Sequence, residues 1–206
     1  MHVIIFTWEF PPRTVGQLAD YVKRLAVQLS QKAVNTDVVT YHEFSTGKEE
    51  EPEGIKAYRV TNPVKTHIGV LTWVLTLNQE VERVASNIYY NAGRQVALVD
   101  AHDWHFIHAA VTLKKAFKLP FIYSVESLEE HRSHGANFPF NMAIKSIEWL
   151  GLYEAKKIIV KSEWMRDEVI RIYNVPEDKI KVVMPDSQEW IDGILKTYKG
   201  LAGGAG

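Results

Sequence analysis

The sequence contains no cysteine in its 206 residues. Disulfides, thiol nucleophiles, thiolate zinc sites and iron–sulfur clusters are therefore excluded, and the composition suits a cytoplasmic protein. It also lacks any apolar run of about 18 residues, the minimum for a membrane-crossing helix, so no membrane association is expected. Neither charge is in surplus: 24 Lys and Arg face 25 Asp and Glu, a net charge of −1. Binders of nucleic acid and of anionic membranes usually carry a basic excess, so neither is an expected partner. Both common nucleotide signatures, the Gly-x-Gly-x-x-Gly turn and the Walker lysine loop, are absent. A basic leader is missing too: Met1 to Trp8 is apolar, ends at Pro11 and Pro12, and reads as a buried strand rather than a signal peptide. Abundant Lys and Glu without Cys point weakly to a thermophile.

What is present is a chain that is 46% hydrophobic, enough to bury one large core. Short β-branched runs alternate with longer segments of helical period, the pattern of a parallel sheet covered on both faces by crossover helices. Strands are expected at 2–7, 37–41, 55–61, 96–100, 121–125, 158–161 and 180–184, and helices at 17–32, 70–91, 105–117, 141–153 and 163–173, with an amphipathic segment at 187–198. The acidic stretch 45–54 reads as a solvated loop, and His131 and His134 as part of a surface loop. Trp73, Trp149, Trp164 and Trp190 fall inside helical patterns and read as core or interdomain packing. The expected fold is α/β, a single Rossmann-like, doubly wound, mainly parallel sheet over 1–198, with 199–206 a flexible Gly/Ala tail or linker.

In such a sheet ligands bind at the carboxyl ends of the strands, so the residues after each strand carry the candidate chemistry. After the first strand, Glu9 to Gln17 places Gly16 at a helix N-terminus, where free amides and the helix dipole suit a phosphate. Arg13 could add a bidentate contact there, although a plain loop with a capping glycine fits as well. After the fourth predicted strand, His102, Asp103, Trp104 and His105 offer polar groups and an aromatic ring suited to a sugar. His105 and His108, with His102 or Asp103, also allow a metal, and helix capping would explain them equally. After the next strand Glu126 is the best-placed carboxylate, able to orient a hydroxyl or act as a general base.

At these residues the chain resembles the N-terminal half of two-domain GT-B glycosyltransferases of the glycogen and starch synthase type. Glu9-Phe10-Pro11-Pro12 with Gly16-Gln17-Leu18-Ala19 is similar to their Lys-x-Gly-Gly-Leu loop, and His102-Asp103-Trp104-His105 matches their His-Asp-Trp-His motif. Val175 to Ile180 with Val182 to Ser187 is similar to the segment that leads into the second domain. Thr14, Gln17, Glu126 and Asp186-Ser187 depart from that pattern, which has a basic residue, a second glycine, a histidine and Asn-Gly in their places. A side chain at Gln17 would obstruct a diphosphate if the position needs positive φ.

The resemblance implies transfer of glucose or another hexose, with retention of configuration and without metal or cofactor, from a nucleotide sugar such as ADP- or UDP-glucose to a glycan acceptor. It makes His102 and Glu126 the catalytic candidates and Arg13, Gly16, Asp103 and Trp104 the substrate-binding ones. It also implies a C-terminal donor-binding domain as partner, without which the chain would be inactive or nearly so. Two alternatives stand beside this one: a non-catalytic docking module on a degenerate glycosyltransferase fold, and an unrelated metal-using α/β enzyme.

Overall fold

The computed structural model describes residues 1–50 and 52–203. The chain runs β1 (His2–Thr7), α1 (Gln17–Gln31), β2 (Asn35–Tyr41), β3 (Gly47–Glu50), β4 (Lys56–Val60), α2 (Val70–Asn91), β5 (Val96–His102), α3 (Ile107–Phe117), β6 (Phe121–Ser124), α4 (Glu129–Arg132), α5 (Pro139–Glu154), β7 (Lys157–Val160), α6 (Glu163–Tyr173), β8 (Ile180–Val182) and α7 (Trp190–Ala202). The strands form one sheet in the order β3-β4-β2-β1-β5-β6-β7-β8. Every pairing is parallel except β3 with β4. Strand β1 sits between β2 and β5, so the chain winds outward to one side and then to the other. The switch between β1 and β5 opens a crevice at their carboxyl ends.

Both faces of the sheet are covered, and side-chain alternation sorts the core into two layers. On β1, Ile4 and Phe6 join the layer under α2, α3 and α5, while Val3 and Ile5 join the layer under α1 and α7. The α1 stripe of Ala19, Val22, Leu25, Ala26 and Leu29 is buried on that second side. Trp190, Ile191, Ile194, Leu195, Tyr198 and Leu201 of α7 meet it there. Truncating one of these leucines to alanine costs about 2–5 kcal/mol by lost burial and the cavity left behind. Helix α5 lies close because Gly151 has no side chain: a Cβ there would fall 2.7 Å from Ile107 Cδ1 and 2.9 Å from Tyr123 Cδ1.

Four expectations are corrected. Residues 47–50 are an antiparallel edge strand rather than a loop, because the nearly enclosed Arg59 on β4 takes Glu49 as a partner (Nε to Oε2 2.6 Å). Lys48 pairs with Glu50 at 2.8 Å on the same edge; Glu51 and the Glu53 side chain lie outside the described residues. The expected tail is helical as far as Ala202, since Leu201 is buried against the second layer; Gly204 to Gly206 lie outside the described residues. His131 sits on the one-turn α4, pairing with Glu168 at 2.8 Å. Finally, Trp149 and Trp164 are 51% and 58% exposed, which excludes the core half of their expected role and leaves interdomain packing untested, whereas Trp190 is buried.

Candidate active site

A cleft of about 710 Å³ opens at the carboxyl ends of β1, β5, β6 and β7. Trp8, Tyr21, Asp103, His105, Glu126 and Lys161 are among the residues that line it.

The loop between β1 and α1 closes on itself. Glu9 is buried, and its carboxylate accepts the backbone amides of Gly16 (2.7 Å) and Val15. These are the amides at the head of α1, so an internal carboxylate sits where helix geometry favours an anion. Arg13 turns away from them. Its guanidinium lies 4.6 Å and 4.9 Å over the rings of Trp8 and Tyr41, donates to Glu43 at 2.7 Å, and reaches the Trp8 carbonyl at 3.1 Å. Gly16 has φ −144°, and Gln17 opens α1 with ordinary negative φ, so neither position needs left-handed backbone. The obstruction anticipated at Gln17 is therefore not conformational. Glu9 escaped the site prediction; the signal was an acid between a strand and the next helix N-terminus.

At the tips of β5 and β6 a line of alternating charges runs from the core to the cleft. Asp100, fully enclosed, accepts hydrogen bonds from the hydroxyls of Ser124 (2.7 Å) and Tyr198. His102 stands above it, with Nε2 3.5 Å from Asp100 Oδ2 and Nδ1 3.0 Å from Glu126 Oε1. The first contact is too long for a good hydrogen bond and leaves Nε2 without a partner in that sense; it acts through charge. Glu126 Oε2 in turn accepts Lys161. Burial by itself would lower the His102 pKa, but the flanking carboxylates of Asp100 and Glu126 outweigh it and raise it to about 9. Burial pushes Asp100 and Glu126 upward, yet His102 and the other partners hold both below the usual carboxylate range. At neutral pH the line is Asp⁻, His⁺, Glu⁻, Lys⁺, and each internal charge has a counterion.

The next two polar residues are less well satisfied. Asp103 has φ 65° and ψ 177°, a region almost reserved for glycine, where a side chain costs about 1–3 kcal/mol. Its carboxylate is 3.7 Å from His105 Nδ1 and 3.8 Å from Arg132, and both Asp103 Oδ1 and His105 Nδ1 are buried without a hydrogen bond. Burial raises Asp103 to about 7, with Arg132 opposing and Glu126 and Glu148 assisting. Burial lowers His105 to about 3, helped by Arg132 and Arg13, so its imidazole is neutral. The ring is stacked between Trp8 (4.6 Å) and Trp104 (4.4 Å). Arg132 is fixed behind this pair by Glu129 (3.1 Å) and by the enclosed Glu148 (2.6 Å), which explains why the chain makes a helical turn there.

Of the six site residues expected from the sequence, Asp103 and Glu126 line the cleft. His102 and Trp104 are buried beneath it, Arg13 faces Glu43, and Gly16 is exposed at the head of α1. His105 and Lys161 also line the cleft, as do Tyr21 and Arg24 of α1, and were not among those six. Among the described residues no three His, Asp or Glu side chains are arranged to hold a metal ion.

A switch-point cleft in a sheet of this order is the architecture of one half of a GT-B glycosyltransferase. Sucrose-phosphate synthase from Thermosynechococcus elongatus superimposes with a TM-score of 0.71 at 17% identity, over 89% of this chain and 47% of that one. The sequence profile described as Glycosyltransferase Family 4 matches residues 18–185, and the chain belongs to that family. An uncharacterized glycosyltransferase of Methanocaldococcus jannaschii is 33% identical over 92% of this chain and 47% of its own length. A glycogen synthase of Mycobacterium tuberculosis is 23% identical over 92% of this chain and 50% of its own length. The chain thus spans about half the length of the curated relatives it matches. The loop at 9–17 and helix α7 fall outside the profile match.

Proposed function

We propose that this chain is the acceptor-side half of a retaining hexosyltransferase that moves glucose or a similar hexose from a nucleoside diphosphate sugar to a glycan hydroxyl. The observation that carries the proposal is the Asp103–His105 pair, which lines the cleft on a strained strand tip and keeps Asp103 Oδ1 and His105 Nδ1 buried behind it without a hydrogen bond. A buried polar group without a partner calls for an explanation, and at the wall of a cleft a bound ligand supplies one. A neutral imidazole and a carboxylate near pKa 7, backed by indole rings, suit a sugar hydroxyl better than a charged group. Asp103 is poised to orient that hydroxyl and exchange its proton. Glu126 faces the same space, and His102 acts behind it as a positioning residue.

The apolar rim supports a second domain as the missing part. Val15, Phe44 and Ile68 are 68%, 94% and 98% exposed, and all three lie in loops that follow the carboxyl ends of parallel strands. Bare apolar groups clustered at one end of a domain mark a contact surface. The docking-module alternative draws on a different fact, the closure of the loop amides by Glu9.

Calorimetric titration with maltooligosaccharide, ADP-glucose and UDP-glucose tests the proposal on the chain alone and on the chain joined to a donor-binding domain. Weak glycan binding lost in Asp103→Ala, with transfer only by the joined protein, is the expected result. If no glycan binds and the joined protein transfers nothing, the docking-module reading replaces it.

A further inference from the structure

The groups that the family resemblance would aim at a phosphate are engaged elsewhere. The amides of Val15 and Gly16 hold Glu9, and Arg13 holds Glu43, the Trp8 carbonyl and two aromatic rings. Among the described residues the cations lining the cleft are Arg24 and Lys161, with His105 neutral. Both flank Tyr21. Lys161 Nζ lies 3.5 Å from the centre of the Tyr21 ring, and the Tyr21 hydroxyl feels the carboxylates of Glu126 and Asp100 first and the Arg24 charge after them.

The two cations differ in how they are neutralised. Lys161 ends the charge line from Asp100, so its charge is matched by Glu126. Arg24 rests its guanidinium 5.0 Å over the Trp190 ring and reaches the Pro185 carbonyl at 3.4 Å, with no carboxylate within ion-pair distance among the described residues. The line Asp100, His102, Glu126 and Lys161 sums to zero, so Arg24 is the cleft cation outside an ion pair; Asp20 and Asp186 line the same cleft without contacting it.

We infer that Arg24, Tyr21 and Lys161 form a phosphate-binding wall of the cleft, in place of the loop amides and Arg13. The guanidinium offers two parallel N–H donors, the phenol one O–H, and the ammonium a point charge that a phosphate can share with Glu126. The inference deepens the glycosyltransferase reading and rests on it for what carries the phosphate. Two carriers present the same chemistry, the diphosphate of a nucleotide sugar and a phosphorylated sugar acceptor.

The test is calorimetry on the 206-residue chain at low and moderate salt, with inorganic pyrophosphate, UDP and glucose 6-phosphate as separate probes. Binding that weakens at least tenfold in Arg24→Ala and again in Lys161→Met, and survives Lys161→Arg, is the expected result. Arg24 is exposed, so its variant reports on binding without a folding defect; thermal unfolding of the Lys161 variants checks theirs. Preference for pyrophosphate and UDP assigns the wall to the donor, and preference for glucose 6-phosphate assigns it to the acceptor. The inference is overturned if no probe binds at millimolar concentration, if the Arg24→Ala/Lys161→Met double variant binds as wild type, or if Glu9→Gln alone tightens binding, which would place the phosphate on the loop amides. A chain that binds glycan but no phosphate sinks this inference and leaves the glycosyltransferase reading standing.

Discussion

The loop after β1 and the tip of β5 end neighbouring strands of one sheet, yet they are built on opposite principles. In the first, the donors have internal acceptors: Glu9 takes the Val15 and Gly16 amides, and Arg13 is enclosed by two rings, a carbonyl and Glu43. In the second, Asp103 adopts backbone that disfavours a side chain, and two of its neighbourhood's polar atoms have no partner. The motifs already differ in the same sense: His102-Asp103-Trp104-His105 matches the glycosyltransferase pattern word for word, whereas the loop departs from it at Thr14 and Gln17. The difference shows that a glycine beside a helix N-terminus does not make an open anion site when an acid lies within reach. Incomplete satisfaction is the better guide to where a ligand belongs.

The sharpest break of this contrast is at His102, which underlies the β5 tip. His102→Ala would leave Asp100 and Glu126 buried without the cation between them, at a cost of about 3–5 kcal/mol. Urea denaturation checks this, and a loss under about 1 kcal/mol would show that the charge line does not support the tip.

Next is pH. The folded His102 pKa of about 9 lies above the ordinary 6.5, so its stabilisation is complete below pH 6.5 and is lost as pH rises through 9. A shift of that size corresponds to roughly 3 kcal/mol. Asp103 and His105 shift in opposite directions, with effects confined to about pH 7 and below, so they offset each other there and leave His102 alone of the three on the alkaline side. Denaturation midpoints from pH 6 to about 9 should fall in wild type and fall much less in a His102→Gln chain; nearer pH 10 the buried tyrosines Tyr21, Tyr123 and Tyr198, raised by burial, destabilise both.

The third prediction concerns the closed loop. Glu9→Ala would strip the acceptor from the Val15 and Gly16 amides, costing about 1–3 kcal/mol and speeding hydrogen exchange at those amides while leaving the β5 tip protected. Equal exchange at both places would mean that the two segments are not independent.

The smallest effect has the opposite sign. Asp103→Gly should raise stability by about 1 kcal/mol by relieving the backbone, and abolish glycan binding. A stable variant that still binds glycan would separate strain from function and remove Asp103 from the site.

Much of the fold was legible because long elements carry redundant signals. The stripe of α2 gave its bounds at 70 and 91, and α6 gave 163 and 173, with Asn174 in left-handed backbone at its end. Strand β3 was invisible: its four residues are exposed, and what holds it is a pairing with β4 and Arg59, far from local pattern. Helix α4 is a single turn fixed by Arg132 and Glu148, again a long-range cause. At the site, residue types were readable and orientations were not. Because β5 runs on to His102, alternation puts Asp100 and His102 on one face; a strand expected to stop at Asp100 gave no sign of that pairing. The stacking of His105 on Trp8, about a hundred positions apart in sequence, had no local trace.

The edge strands have one more consequence. The sheet ends in β3, four exposed residues bearing Lys48, Glu49 and Glu50, and in β8, three residues long. Short, charged borders of this kind offer little template for another chain to hydrogen-bond along, so the sheet resists growing into fibrils or sheet-to-sheet dimers. Any lasting association of this protein must then be made through its loops and helices, which confines new contacts to the surfaces where shape and chemistry can be selective.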